Sequence, residues 1–267
     1  MILLFLHKSP VGILLLFVYV DDIIISGSYY THIQKLQQHL HSIFHMKDFG
    51  HLAYFLSLEV HTTKHGIFLN QHKYTQDLIK LADLSDAPQL IFHWNLMLIH
   101  TVSRFIDTPR HHHLVVVHRI VRYLIGTPHR GLFFPHGIPL ELTAYCDTDW
   151  AGCPDHRRST TGWCIFLGNA LISWKCKKQD CVSKSSTEIV IALCPLHVLR
   201  LYGCVVFFKH INVDCHYIRD VYESKLIDLP HVSTTQQIAG FFTKSLTHLR
   251  HNFLVSKLML VDLPSSI

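Results

Sequence analysis

The chain has 267 residues, with 24 Lys and Arg against 19 Asp and Glu, which gives a net charge of +5 at pH 7 with neutral histidines. With 49% hydrophobic and 16% charged residues it can bury a core, so its composition excludes an intrinsically disordered protein. The mild positive charge allows a nucleic-acid partner without requiring one. None of the eight cysteines forms a Cys-x-x-Cys pair. We therefore expect reduced thiols in an intracellular protein of the cytoplasm or nucleus, not a secreted one.

Two apolar runs, residues 1–6 and 11–20, open the chain and are separated by His7-Lys-Ser-Pro. A membrane anchor formed by residues 1–20 is one interpretation. However, a helix needs about 20 apolar residues to cross a bilayer, and the second run is half that length. It also leads directly into Asp21-Asp22. We therefore predict a buried strand and no membrane partner.

The hydrophobic periodicity of the first half changes several times between strand and helix spacing. Short β-branched runs flank Asp21-Asp22, and helical spacing of apolar residues follows twice. The predicted elements are strands over 11–20 and 23–27, a helix over 33–44, a hairpin over 51–60 and 66–70, and a helix over 74–81. Residues 85–105 have no clean period of either kind.

The second half begins with a predicted helix and continues mainly with strands. A composition shift at 131–139 predicts a domain boundary. The predicted elements are a helix over 113–125, strands over 140–146, 162–167 and 170–174, a helix start over 185–193, and a helical segment over 232–246.

The first candidate site is the acid pair Asp21-Asp22 between two apolar strands. Adjacent carboxylates repel each other unless a cation lies between them, and Mg²⁺ prefers oxygen ligands of this kind. Two metal ions about 4 Å apart can activate an attacking hydroxyl and stabilise a leaving group. A solvated turn is the ordinary alternative for two neighbouring acids.

The second candidate site consists of Asp147, at the end of a predicted strand, and Glu188, at the start of a predicted helix. Such a pair can chelate Mg²⁺ for phosphodiester hydrolysis. Spacing alone favours the plainer interpretation, in which Asp147 and Asp149 are turn acids and Glu188 is a capping acid.

Motifs around the first acid pair are typical of one family. They are Tyr19-Val-Asp-Asp-Ile-Ile-Ile-Ser-Gly-Ser, Phe44-His-Met-Lys-Asp-Phe-Gly-His-Leu-Ala-Tyr-Phe-Leu-Ser-Leu-Glu-Val and Gly66-Ile-Phe-Leu-Asn-Gln-His-Lys-Tyr-Thr-Gln-Asp-Leu. Together they resemble the reverse transcriptase of copia-type LTR retrotransposons.

Further motifs follow in the second half of the chain. They are Ala144-Tyr-Cys-Asp-Thr-Asp-Trp-Ala-Gly-Cys-Pro-Asp-His-Arg-Arg-Ser-Thr-Thr-Gly-Trp, Leu171-Ile-Ser-Trp-Lys-Cys-Lys-Lys-Gln, Val182-Ser-Lys-Ser-Ser-Thr-Glu and Ile238-Ala-Gly-Phe-Phe-Thr-Lys-Ser-Leu. This half resembles the RNase H of the same polyprotein, and the joining segment Arg119-Ile-Val-Arg-Tyr-Leu-Ile-Gly-Thr-Pro matches as well.

The resemblance covers nearly the whole chain in family order and implies an α/β (α+β) fold. It implies a partial reverse-transcriptase palm and thumb over residues 1–88, a connecting helical region over 89–135 and a degenerate RNase H-like domain over 136–267. It makes Mg²⁺ the expected cofactor and an RNA–DNA hybrid or another nucleic acid the expected partner. The catalytic and metal-binding candidates are Asp21, Asp22, Asp147 and Glu188, with Asp214 as a further candidate metal ligand.

Departures from the family pattern lower the expected activity. The family has a first catalytic Asp and the fingers upstream of the Asp-Asp strand, and this sequence contains neither. The family's Asp-Asn strand, which carries a third RNase H acid, is missing between Cys194 and His210. Two-metal catalysis needs enough carboxylates to hold both ions in register. We therefore expect a truncated, degenerate polyprotein fragment with vestigial Mg²⁺ binding and no turnover.

Two other hypotheses stay open. The chain could be a non-enzymatic module that binds nucleic acid or protein, in which Arg157-Arg158, Lys175 and Lys177-Lys178 contact phosphates rather than serving as ordinary surface charges. It could also be a small membrane-anchored protein. Without upstream palm strands, the strands at 11–20 and 23–25 would lack a partner on one side, so we expect oligomers or aggregates.

Overall fold

The computed structural model describes residues 2–44, 46–90, 102–103, 105–149, 157–179 and 232–262. Contacts divide the chain into two units, residues 1–55 and 56–267. Glu188, Asp214 and the helix predicted at 185–193 lie outside the described residues, so these predictions stay untested.

The first unit is built on an antiparallel sheet in the order β1-β2-β3. Its elements are β1 (Ile2–Ser9), β2 (Gly12–Tyr19), β3 (Asp22–Gly27), α1 (Tyr30–Phe44) and the short β4 (Tyr54–Phe55). The predicted strands and the first helix are confirmed. The prediction that β2 lacks a partner on one side is wrong, because β1 pairs with it from Ile2↔Tyr19 to Ser9↔Gly12.

This sheet is less buried than the sequence predicts. β2 is half-buried, and Leu4, Phe5 and Leu6 on β1 are more than half exposed. The apolar run at the start of the chain therefore forms strands of a hairpin instead of a helix. Among the described residues, no helix has the length and apolar character required to span a membrane.

The second unit begins with a hairpin and two helices. Its first elements are β5 (Leu58–Thr63), β6 (Gly66–Asn70), α2 (His72–Leu81), α3 (His111–Ile125) and β7 (Arg130–Pro135). Glu59, on the neighbouring strand β5, caps the N-terminus of α2. Its Oε1 accepts a hydrogen bond from the backbone N–H of Lys73 at 2.7 Å. This bond satisfies one of the N–H groups that the first helical turn leaves free, and it places a negative charge at the positive end of the helix.

Among the described residues, the rest of the second unit contains an antiparallel sheet, two helices and a last strand. These elements are β8 (Leu142–Asp149), β9 (Thr160–Leu167), β10 (Ala170–Lys178), α4 (Gly240–Thr243), α5 (His248–Lys257) and β11 (Leu260–Asp262). The sheet has the order β10-β9-β8, which confirms the three strands predicted here.

The helix predicted over 232–246 is wrong except for the four residues of α4. The segment before α4 contains Ser233, Thr234 and Thr235, whose side chains favour turns and caps over helix interiors. The guanidinium of Arg250 donates hydrogen bonds to the carbonyls of Thr234 and Thr235, so these groups are satisfied outside a helix.

The strand β7 joins parts of the chain that the sequence analysis separates. β7 pairs with β6 on one side and with β11 on the other. The predicted boundary at 131–139 is therefore partly a strand, and residues from all three predicted segments share one sheet. The assignment of 1–88, 89–135 and 136–267 to three functional parts stays a prediction.

The main apolar core of the second unit lies between the β8–β10 sheet and the last part of the chain. Leu132 of β7 and Leu260 of β11 pack against it. Its buried members are Cys164, Phe166, Leu171, Cys176, Ile238, Ala239, Phe241, Phe242, Leu246, Leu254, Val255 and Leu258.

A glycine is required where β7 meets β6. A Cβ atom at Gly131 would lie 2.3 Å from the Leu69 carbonyl oxygen and 2.7 Å from Cζ of Phe68. We predict that Gly131→Ala lowers the free energy of unfolding by about 1–3 kcal/mol, the usual cost of overpacking, as measured by urea unfolding.

Gly240→Ala is the matched control for this prediction, because the nearest atoms to its added Cβ would be 3.9 and 4.0 Å away. The control should leave the unfolding midpoint unchanged or slightly higher, because alanine is the better helix former. Equal effects of the two substitutions would show that the approach of β6 and β7 is not tight.

Candidate functional site

The acid pair lies at the tip of the β2–β3 hairpin. Tyr19 pairs with Asp22, so Val20 and Asp21 form the two-residue turn. Val20 has φ of +50°, a conformation that β-branched residues rarely adopt. The side chains of Asp21 and Asp22 are both exposed.

The base of this turn is held by aromatic contacts. The ring of Phe55 meets the rings of Phe17 and Tyr19 edge-on, with centroids 5.6 and 6.5 Å apart. These contacts order the strands but leave the two carboxylates in water. Within the described ranges, no group of three or more His, Cys, Asp and Glu side chains lies close enough to hold a metal ion.

Asp147 has a different environment, because both of its carboxylate oxygens accept hydrogen bonds. The hydroxyl of Thr243 donates to Oδ2, and the Nζ of Lys244 donates to Oδ1 at 3.0 Å. The Asp147 side chain is only 12% exposed. Mg²⁺ requires an octahedral shell of oxygen ligands. Asp147 fits that role poorly in this arrangement, because the Lys244 ammonium group beside its carboxylate repels a second cation.

Apolar packing brings Thr243 and Lys244 to this position. Gly162 of β9, directly opposite Asp147 in the sheet, leaves room for Phe242, since a Cβ at Gly162 would lie 2.5 Å from Cβ of Phe242. The thiol of Cys176 donates to the Phe242 carbonyl at 3.1 Å. Burial raises the pKa of Cys176 to about 11, so the thiol stays protonated and donates this bond at neutral pH. The next two residues are thereby held over Asp147.

Asp149 lies two positions further along the same strand face as Asp147. Burial raises the pKa of its carboxyl group, the charge of Asp147 raises it further, and Lys244 opposes both effects. Asp149 therefore ionises less readily than an ordinary aspartate, and the sequence predicted it only as a turn acid.

The structure separates the predicted acids by unit. Asp21 and Asp22 belong to the first unit and Asp147 to the second. Sequence reasoning missed the roles of Thr243 and Lys244, although both stand in the motif that begins at Ile238. The contacts join residues 96 and 97 positions apart, so no local pattern could have assigned them to Asp147.

The basic residues predicted to meet phosphates lie partly on β10. Lys175 is exposed and stands opposite Trp163, and the neighbouring Trp174 is 47% exposed. Successive strand residues point to opposite faces, so Trp174 and Lys175 do not share a surface, whereas the exposed Lys175 and Lys177 lie on the same face of β10.

Comparison with known proteins identifies relatives over most of the chain. A family profile described as reverse transcriptase (RNA-dependent DNA polymerase) matches residues 3–92. The chain is 30% identical to the retrovirus-related Pol polyprotein from transposon RE1 of Arabidopsis thaliana, over 98% of this chain and 23% of the polyprotein. It is 29% identical to the corresponding polyprotein from transposon RE2 of the same plant, again over 98% of this chain and 23% of the polyprotein.

A shorter relative matches over most of its own length. The chain is 34% identical to an uncharacterized mitochondrial protein of Arabidopsis thaliana, over 65% of this chain and 87% of that protein. The chain spans about a quarter of the length of the transposon polyproteins, 23% in each case. No solved structure matches it.

The raised pKa of Asp149 predicts a pH-dependent effect on stability. Because the folded state binds this proton more readily than the unfolded state, the ionised carboxylate lowers stability at neutral pH. That cost disappears as the pH falls through the raised pKa towards the ordinary value of 3.8. Asp149→Asn should therefore raise the free energy of unfolding at pH 7.

Urea unfolding of wild type and Asp149→Asn across the acidic range checks this prediction. The advantage of the variant should shrink steadily as the pH approaches 4. The raised pKa of Asp149 would be contradicted as the cause if Asp149→Asn were no more stable than wild type at pH 7. It would also be contradicted if the difference in the free energy of unfolding were the same at pH 4 and pH 7.

Proposed function

Because this chain belongs to the family of copia-type retrotransposon Pol polyproteins and carries a reverse transcriptase domain, we propose that it is a polymerase-related and RNase H-related chain that catalyses neither reaction by itself. The proposed parts are the palm and thumb over residues 1–88 and a degenerate RNase H-like domain over 136–267. Mg²⁺ is at most a vestigial ligand in this proposal.

The contact between Lys244 and Asp147 is the observation that carries the proposal for the second part. Each oxygen of this carboxylate already accepts one hydrogen bond, from Thr243 or Lys244, and the positive charge of the ammonium group opposes the approach of a metal ion. The three antiparallel strands β8, β9 and β10, with Asp147 near the end of β8, support the RNase H-like assignment. Glu188 and Asp214 remain its proposed further metal ligands.

The exposed hairpin tip supports the proposal for the first part. Two adjacent carboxylates in water, Asp21 and Asp22, gain little from an ion that dehydrates reluctantly. A two-metal site also needs further ligands to keep both ions at the spacing that the reaction requires. Weak, transient ion binding at this tip is the expected behaviour.

Primer extension tests the polymerase part directly. The purified chain should extend oligo(dT) on poly(rA) no faster than a blank, with Mg²⁺ or with Mn²⁺, because two carboxylates cannot hold two ions in register. Asp21→Asn is the matched variant and should give the same background. Extension that disappears in Asp21→Asn would refute the proposal.

Cleavage of a labelled RNA–DNA hybrid tests the second part. Wild type, Asp147→Asn and Glu188→Gln should all cleave at or near background with Mg²⁺, since Asp147 is already paired with Lys244. Robust Mg²⁺-dependent cleavage that either substitution abolishes would show a complete site and would overturn the proposal.

A second candidate function is nucleic-acid binding without catalysis, and the exposed Lys175 and Lys177 on one face of β10 favour it. Contact of lysine side chains with phosphates requires no metal ion. The hybrid used above distinguishes this candidate, because retention of the intact hybrid that weakens with added salt reports phosphate contacts. An equal lack of cleavage and of retention would instead favour a protein-interaction module.

A further inference from the structure

The ion pair between Lys244 and Asp147 involves a largely buried carboxylate. The Nζ of Lys244 lies 3.0 Å from Oδ1, and the side chains are 42% and 12% exposed, respectively. The hydroxyl of Thr243 holds the second oxygen. The consecutive residues Thr243 and Lys244 thus each donate a hydrogen bond to one oxygen of the Asp147 carboxylate.

A largely buried carboxylate needs a compensating positive charge, since an unpaired charge in such a place is strongly destabilising. A divalent ion with further oxygen ligands or a cationic side chain can provide that charge. Here a cationic side chain provides it. The backbone carrying Lys244 is fixed by the buried rings of Phe241 and Phe242, which anchor the segment in the core.

We propose that Lys244 is the resident counter-cation of Asp147, occupying the place of a divalent ion and fastening the segment 238–246 to the end of β8. The ammonium group repels any further cation that approaches Asp147. The fastening is present without metal ions, so removal of divalent cations leaves the stability of the wild-type chain unchanged. This inference concerns the ion pair alone and does not depend on the proposed function.

Loss of the lysine charge should therefore uncover a cation site. In Lys244→Gln the carboxylate of Asp147 loses the counter-charge of the lysine, and Asp149 on the same strand face can contribute a second carboxylate. A divalent ion would then restore the compensation that the lysine normally provides. The thermal stability of Lys244→Gln should therefore depend on divalent cations. Loss of a lysine that only packed against its neighbours would not produce this dependence.

Thermal unfolding of the full chain with EDTA and with millimolar Mn²⁺ tests this proposal. In EDTA, Lys244→Gln should unfold roughly 2–4 °C below wild type, a typical shift for one lost contact in a unit of this size. Mn²⁺ should recover at least half of that loss in Lys244→Gln while leaving wild type unchanged. Lys244→Arg retains the charge and should behave as wild type.

Two further variants make the test specific. Lys64→Gln removes an exposed charge in the β5–β6 turn and should change neither midpoint nor Mn²⁺ response. The double variant Lys244→Gln with Asp147→Asn should lose the Mn²⁺-dependent recovery. An equal Mn²⁺ response in wild type and Lys244→Gln, or no recovery in Lys244→Gln, would overturn the proposal.

A measurement on well-folded protein covers the case in which Lys244→Gln does not fold. Mn²⁺ binding to wild type and to Asp147→Asn is compared by titration calorimetry. Equal binding supports the proposal, because the wild-type carboxylate is then closed to the ion. Binding that is stronger in wild type and lost in Asp147→Asn would overturn it.

Discussion

The second unit depends on apolar packing of the last part of the chain against the β8–β10 sheet. Phe242 can approach β9 only because Gly162 has no side chain, and the Cys176 thiol fixes the Phe242 carbonyl. This packing determines where the polar residues that follow can reach. The contact of Thr243 and Lys244 with Asp147 is therefore a consequence of core formation, and a change in the core would alter the charge environment of the acid.

Elements that rest on local patterns could be predicted from the sequence. The β2–β3 and β5–β6 hairpins, the helices α1, α2 and α3, and the three strands of the second sheet follow their own hydrophobic periods and turn residues. Such signals lie within a few residues of each other. These signals can be read from one sequence, because residues close together along the chain determine both the element and the positions where it ends.

Elements that rest on distant partners could not be predicted in the same way. The backbone hydrogen bonds that make β1 a strand come from β2, and those of β7 come from β6 and β11. The segment 232–239 was predicted to be helical, yet Arg250 from α5 binds the carbonyls of Thr234 and Thr235 in a turn. In the candidate site, the sequence predicted the acids but not the cation that pairs with Asp147, since that contact depends on the tertiary fold.

The described acids of this chain lie in two different environments. Asp21 and Asp22 lie in water, where a high dielectric screens their mutual repulsion and makes an ion unnecessary. Asp147 lies where solvent is mostly excluded, so it must have a counter-charge in every folded molecule. This positive counter-charge can come from a bound metal ion, which exchanges with solvent, or from a cationic side chain, which is covalently part of the chain. With Lys244 in the second role, the carboxylate that sequence analysis assigns to catalysis acts as an anchor for the core, and its pairing with the lysine holds the segment 238–246 against β8.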